Sequence, residues 1–389
     1  MVSVFGLARK SLARLAFALS VAALAACTPS APGGPRIDTS QAVPVALLVP
    51  SGSGQAGDEV LARSLQNAAR LAIADLGGVK IDLRVYPTAG LPEQAQAMAQ
   101  KAVAEGAKII LGPVFAQEAN AAGLAVAGRG INVLSFSNNT DVAGGNVFVL
   151  GPTFQNTANR LASYAVRNGN RKIMVAYDQN PAGEAGRAAI QAAVARAGGT
   201  LVGDSGYEFS QNGIVNAVPG ITKTARESGA QAMFLTANTA GALPLLTQLL
   251  RDNGLDPAAT RFIGLTRWDI PPGTVALPGV HGGWFALPDP ALYAQYQARY
   301  QAAYGEPPHP ISGLAYDGIA AIGALIKRGD AGALTTAGLT QGSGFVGVNG
   351  IFRLLPDGTN ERGLAVAQIS DNQLAVIDPA PRAFGGAGF

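Results

Sequence analysis

The sequence predicts an α/β protein made of two doubly wound lobes, each a parallel sheet covered by helices. Three observations carry this. From residue 43 onward, short apolar runs rich in Val, Ile and Leu alternate with Ala-rich amphipathic runs. The short runs are apolar throughout, so both faces of their sheet are covered, as in parallel strands joined by crossover helices. The alternation also falls into two similar halves of about four strand–helix units, the first ending near Pro152.

Length and composition set each element in turn. Strands are expected at 45–49, 81–86, 108–111, 132–136, 172–177, 200–203, 232–236 and 262–265. Helices fill the intervals at about 59–76, 92–105, 116–128, 154–168, 183–197, 211–228 and 240–253. Two further helices follow near 290–303 and 313–328, and the pattern then changes to short strands at 345–352, 364–369 and 374–377.

Ahead of this domain the chain reads as an export leader. Arg9, Lys10 and Arg14 form a positive start, and residues 15–23 form an apolar stretch too short to span a bilayer. It ends in Leu24-Ala25-Ala26-Cys27, which resembles the lipobox of bacterial lipoproteins. The expectation is a signal peptide over 1–26, cleavage before Cys27 and lipid attachment at its thiol. Cys27 is the single cysteine of the 389 residues, so no disulfide forms within the chain. Aspartate after such a cysteine is the inner-membrane retention signal, and Thr28 stands there instead, which favours the outer membrane. Residues 28–42, rich in Pro, Gly and Ser, read as a flexible tether, and 380–389 read as a tail.

Charge and residue counts narrow the function. The leader holds three of the 28 basic residues and none of the 25 acidic ones, so the mature chain is neutral. No basic run marks a nucleic-acid face. Contact with a membrane is expected through the lipid anchor only. Gly52-x-Gly54-x-x-Gly57 matches a dinucleotide fingerprint in form, but Pro50 interrupts the strand end and no acidic residue closes the second strand near Tyr86. His281 and His309 are the only histidines and have no partner at metal spacing. No nucleophile elbow is present. No catalysis, cofactor or metal is expected.

Doubly wound lobes bind ligands at the carboxyl ends of their strands. The loops there carry small hydroxyl and amide residues: Ser51, Gly52 and Ser53 after the first strand, then Pro113 and Val114 after the third. Ser135, Ser137, Asn138 and Asn139 follow the fourth. In the second half they are Gln179, Asn180 and Asn238, with Trp268 after the last expected strand. Such residues grip polar ligands beside helix N-termini, and the same types serve as helix caps and turns. Trp284 reads as core packing in a strand returning to the first lobe.

The run Val45-Ala46-Leu47-Leu48-Val49-Pro50-Ser51-Gly52 resembles the opening strand and cleft loop of the type I periplasmic-binding-protein fold, in its leucine-binding-protein branch. So do Ile109-Ile110-Leu111-Gly112-Pro113-Val114, Asn132-Val133-Leu134-Ser135-Phe136-Ser137, Ala315-Tyr316-Asp317-Gly318 and the glycines and aromatics of 345–358, in the family's order. The resemblance covers 43–379. It implies three crossings between the lobes, near 150–153, 270–284 and 344–350, with lobe 1 about 43–151 and 281–343 and lobe 2 about 152–280 and 344–379.

The resemblance also implies a ligand clamp from which this chain departs. Ala116 stands where amino-acid receptors of this fold carry Ser or Thr, Asn139 stands near their Thr, and the Tyr-Gly pair of the second lobe is missing after Asp178. Residues 282–290, 363–366 and the 378–382 tail are similar to the alphaproteobacterial lipoproteins called penicillin-binding-protein activators. That implies an outer-membrane partner of a peptidoglycan synthase. The alternative is the substrate-binding receptor of an ABC transporter for amino acids or another small polar solute.

Overall fold

A computed structural model gives the fold, described over residues 34–385. The leader, Cys27 and the start of the tether lie outside the described residues, as do 386–389.

The first lobe is built on β1 (Val43–Val49). It pairs with β2 (Ile81–Pro87) and β3 (Ile109–Leu111). With β4 (Val133–Ser135) and β5 (Val147–Val149) they form a parallel sheet in the order β2-β1-β3-β4-β5. Side chains alternate between the faces of a strand. Val45, Leu47 and Val49 pack on α1 (Ala56–Asp75), while Ala46 and Leu48 pack with α2 (Pro92–Ala104) and α3 (Ala116–Val126). The apolar run therefore has helices on both sides, and each buried Leu contributes about 1.5–3 kcal/mol.

The second lobe repeats the scheme with α4 (Phe154–Arg167), β6 (Lys172–Asp178), α5 (Pro181–Arg196), β7 (Thr200–Tyr207), α6 (Gln211–Ser228), β8 (Ala232–Leu235), α7 (Leu243–Asp252), β9 (Arg261–Gly264) and β10 (Trp284–Leu287). Ile173 and Val175 pack on α4 and α5, and Met174 and Ala176 pack on α6 and α7. After β10 the chain returns to the first lobe through α8 (Pro290–Tyr304), α9 (Gly313–Lys327) and the single turn α10 (Thr336–Leu339). A small antiparallel sheet follows, β11 (Phe345–Gly347), β12 (Gly350–Leu354) and β13 (Asn360–Arg362). β14 (Ala365–Ser370) and β15 (Gln373–Asp378) then complete the second sheet, β15-β14-β10-β9-β8-β6-β7.

Several expectations are corrected. β5 was not expected, because three residues after Gly144 and Gly145 show no periodicity. β7 runs four residues further than expected, past Gly203 to Tyr207, because it is an edge strand and tolerates polar residues. Trp284 is core packing as expected, against Tyr164 at 5.0 Å, but β10 belongs to the second lobe, parallel to β9. Residues 345–362 belong with the first lobe, since Phe345, Phe352 and Leu354 fill its core. The crossings therefore fall at 150–153, 288–289 and 363–364. The end of the tether is pinned: Ile37 is buried in the first core and its N–H donates to the Ala331 carbonyl at 2.9 Å.

Buried polar groups lock the crossings together. Asn360 donates to the carbonyls of Val149 and Gly151 at 2.7 and 3.0 Å, and Asn156 of α4 donates to the Asn360 carbonyl at 2.7 Å. Arg362 donates from Nε to the Leu150 carbonyl at 2.8 Å and pairs with Asp317 of α9 at 3.1 Å. The tail adds a fourth tie. Arg160 of α4 holds Asp378 at 2.9 Å and the Pro379 carbonyl at 3.1 Å, and Arg353 of β12 lies 4.7 Å from the Phe384 ring centre.

Candidate functional site

The first crossing leaves the carboxyl end of β5 and the second leaves the carboxyl end of β10. Both parallel sheets thus present their carboxyl ends to the hinge, and their strand-to-helix loops line the two sides of a cleft. Among the described residues, no hydrogen bond or ion pair joins the loops after β1, β2 and β3 to those after β6, β7 and β8.

Most of the polar residues expected to face a ligand serve the loops themselves. The Gly52 N–H donates to Glu59 Oε1 at 2.6 Å, and Ser53 Oγ accepts from the Gln55 N–H at 3.0 Å. Ser51 is half-buried beside them. The start of α1 would attract an anion, but Asp58 and Glu59 in its first turn already supply the negative charge. Pro113 is buried and its carbonyl accepts from Ser135 Oγ at 3.0 Å; Val114 is half-buried. Ser135 Oγ accepts from the Ser137 N–H, Ser137 Oγ from the Asn139 N–H, and Asn139 Oδ1 from the Asp141 N–H. These are successive local turns of the kind short polar side chains favour. Asn180 Oδ1 caps α5 by accepting from the Gly183 N–H at 2.8 Å. Asn138, Gln179 and Asn238 are exposed and remain available.

Trp268 is not a cleft residue. It is fully buried in the second core, stacked on Phe285 at 6.4 Å. Its neighbours face outward instead. Arg267 and Asp269 form an ion pair with each other and, with Ile270, line a cavity of about 410 Å³. Its other wall belongs to the first lobe: Tyr293 and Gln297 of α8, with Pro308 and Pro310. The Tyr293 hydroxyl donates to the Pro310 carbonyl at 3.3 Å, and burial pushes its pKa up. Sequence reasoning passed over Tyr293 because Tyr293, Tyr296, Tyr300 and Tyr304 repeat at helical spacing. Tyr296 and Tyr300 are indeed core; Tyr293 stands at the hinge end of the same helix.

Each side of the cleft covers a buried carboxylate. Glu118, in the first turn of α3, accepts from the Phe115 N–H at 3.3 Å and lies against the Thr88 hydroxyl, and burial pushes its pKa up. Asp178 closes β6. Its N–H donates to Thr236 Oγ1 at 3.0 Å and its Oδ2 accepts from the same hydroxyl at 3.2 Å, and the Tyr207 hydroxyl lies against the same carboxylate. Burial and the nearby Asp178 raise the pKa of Tyr207. A Cβ at Gly183 would lie 2.0 Å from the Asp178 carbonyl oxygen, so glycine is required where the loop enters α5.

Among the described residues no three His, Cys, Asp or Glu side chains cluster to hold a metal. His281 contacts Asn372 at 2.7 Å, and His309 is half-buried, with burial lowering its pKa. No described helix is long and apolar enough to cross a membrane.

Comparison with known proteins agrees with this geometry. A family model described as periplasmic binding protein matches residues 42–373. No curated protein matches the chain. Solved structures with the same fold include the following three. A protein of Rhodospirillum rubrum, assigned to branched-chain amino acid ABC transport, has 19% identity and a TM-score of 0.72 over 87% of this chain and 100% of that one. An ABC transporter substrate-binding protein of Desulfitobacterium hafniense in complex with Leu has 18% identity and a TM-score of 0.64, over 87% and 100%. A solute binding protein of R. palustris in complex with benzoate has 18% identity and a TM-score of 0.58, over 89% and 98%.

Proposed function

Because the chain belongs to the periplasmic binding protein family, we propose that it is a non-catalytic envelope receptor that closes on a small molecule for an ABC transporter. One observation carries this reading. Two lobes meet at a tied hinge, and among the described residues no hydrogen bond or ion pair links the loops after β1, β2 and β3 to those after β6, β7 and β8, which leaves the two rims unjoined. Closing that gap on a solute would use the free amides of Asn138, Gln179 and Asn238. Lipid attachment at Cys27 would keep the receptor at a membrane surface.

The test is a melting scan of the full chain against amino acids, amines, aromatic acids and short peptides. A ligand at 100 times its dissociation constant stabilises the state it binds by about 2.7 kcal/mol. Hits should also shrink the radius of gyration in small-angle scattering. A blank across the panel would reject the receptor reading.

The second reading is an activator of a peptidoglycan synthase at the outer membrane. It draws on Thr28 and on the Asp378-Pro379-Ala380-Pro381-Arg382 tail, which Arg160 holds in an ordered course beside an open groove with Tyr164 and Ile377. A synthase assay that shows no stimulation by the purified chain would sink it.

A further inference from the structure

We propose that the cavity of about 410 Å³ at the second crossing seats a neutral solute: a flat ring bearing a carboxamide or a like donor–acceptor head. This rests on the receptor reading and gives its solute a place and a chemical class.

Shape is the first ground. Each lobe supplies one wall of the cavity, and Pro288 of the crossing lies between them. Ile270, Leu287 and Leu374 line it from the second lobe, and Pro290, Pro308 and Pro310 from the first. Apolar walls with a few polar groups, around a volume above about 300 Å³, are the ordinary make-up of a small-molecule site. A proline ring locks its own backbone angle, so the first-lobe wall is stiff and suits a ring better than a flexible chain.

Charge is the second ground. The charged groups lining the cavity are Arg267 and Asp269, and they neutralise each other: Nε donates to Oδ1 at 2.9 Å and Nη2 donates to Oδ2. A carboxylate brought to Arg267 would meet Asp269, and an ammonium brought to Asp269 would meet Arg267. Either gains little from the pair and still gives up its own hydration. An uncharged head avoids that cost.

The third ground is which hydrogen-bonding positions stay open. Among the described residues Arg267 Nη1 has no partner, so its protons remain for an acceptor. Each Asp269 oxygen takes one N–H of Arg267 and has room for another donor. Tyr293 spends its proton on the Pro310 carbonyl at 3.3 Å, which leaves its oxygen as an acceptor. It faces the pair across the lobes: burial is the main push on its pKa, upward, and then Arg267 lowers it while Asp269 raises it. A donor beside acceptors from both lobes matches a carboxamide, whose carbonyl accepts from Arg267 and whose NH2 donates to Asp269 or Tyr293. A carboxylate has no proton for those acceptors, and an ammonium has no acceptor for Arg267. A zwitterion offers both but brings two charges to a pair that is already matched.

Calorimetry on the full chain with benzamide, benzoate, benzylamine and L-phenylalanine tests the proposal. Benzamide should bind about tenfold or more tighter than each of the other three, and its affinity should stay level as salt rises. Gln297→Trp, at an exposed position of α8 on the cavity wall, should fill the space and weaken benzamide about tenfold or more. Leu124→Trp, exposed on α3, should leave its affinity unchanged. Tighter binding of benzoate, benzylamine or L-phenylalanine would overturn the inference and leave the receptor reading intact. Benzamide binding that Gln297→Trp leaves unaltered would do the same, because the solute would then sit elsewhere. No heat from any of the four would also overturn it, and the receptor reading would then stand or fall on the wider melting scan.

Discussion

Removing Asp317 should loosen the hinge from inside, and the structure fixes how much. The Asp317 carboxylate is fully buried. It accepts from the Val348 N–H at 2.8 Å, from Asn349 Nδ2 at 2.9 Å and from Arg362 Nη1 at 3.1 Å. Arg362 is also buried, and its Nη2 has no partner. Taking away one member of a buried pair costs about 3–5 kcal/mol, because the other stays behind as a buried charge. Unfolding entropy is about 2.1 cal/mol/K per residue, or about 0.7 kcal/mol/K over the roughly 340 residues from β1 to β15. For a chain that melts in one step, Asp317→Ala should therefore lower Tm by about 5 °C.

The pH dependence separates the two partners. Burial pushes the Asp317 carboxyl above its usual pKa even with Arg362 beside it. In Arg362→Met that upward push is opposed only by the hydrogen bonds from Val348 and Asn349. A raised folded-state pKa makes the carboxylate destabilising as pH climbs above the ordinary carboxylate value, and stability returns as pH falls back toward it. The Tm deficit of Arg362→Met should thus shrink between pH 7 and pH 5. Asp317→Ala removes the titrating carboxyl and leaves a guanidinium that cannot shed its proton, so its deficit should not shrink over the same interval. Calorimetric scans at both pH values check this. Either variant melting within about 1 °C of the parent, or both deficits shrinking together, would refute the reasoning.

Gly347→Ala should cost about 1–3 kcal/mol by chemical denaturation, because its Cβ would meet Asp317 Oδ1 at 2.0 Å. Trp268→Ala should cost about 3–5 kcal/mol in the same assay, while the affinity of any cleft ligand that the melting scan finds changes less than threefold. Phe384→Ala removes the ring beside Arg353; small-angle scattering should then show a larger radius of gyration for the ligand-free chain, and an unchanged radius would mean the tail does not restrain the lobes.

The layered core was legible in the sequence because burial on both faces leaves a chemical trace. Runs such as Ile109-Ile110-Leu111 and Ala232-Met233-Phe234-Leu235 contain nothing polar, and nothing else about them is needed to read a parallel strand. The assignment of segments to lobes was less legible. Trp284 and its neighbours would suit either sheet, and only pairing with Ile263 and Gln368 decides the matter. The loops were the hardest. Ser135, Asn139 and Asn180 have the composition of a ligand site, and they are also what a turn or a cap requires. The apolar exposure of Phe115 and Phe209 had no sequence signal, since a phenylalanine after a strand is ordinarily read as core.

Ile37 anchors the entering chain at the base of the first lobe, and β1 then runs from that base to the cleft. Seven extended residues span about 20 Å. Whatever pulls on the chain ahead of Ile37 therefore pulls along the strand axis at the end remote from the mouth. Strands loaded lengthwise share the force across every neighbouring hydrogen bond at once, so the first lobe acts as a fixed post. Among the described residues the second lobe is tied on at the hinge and the tail, and it is the part left to swing.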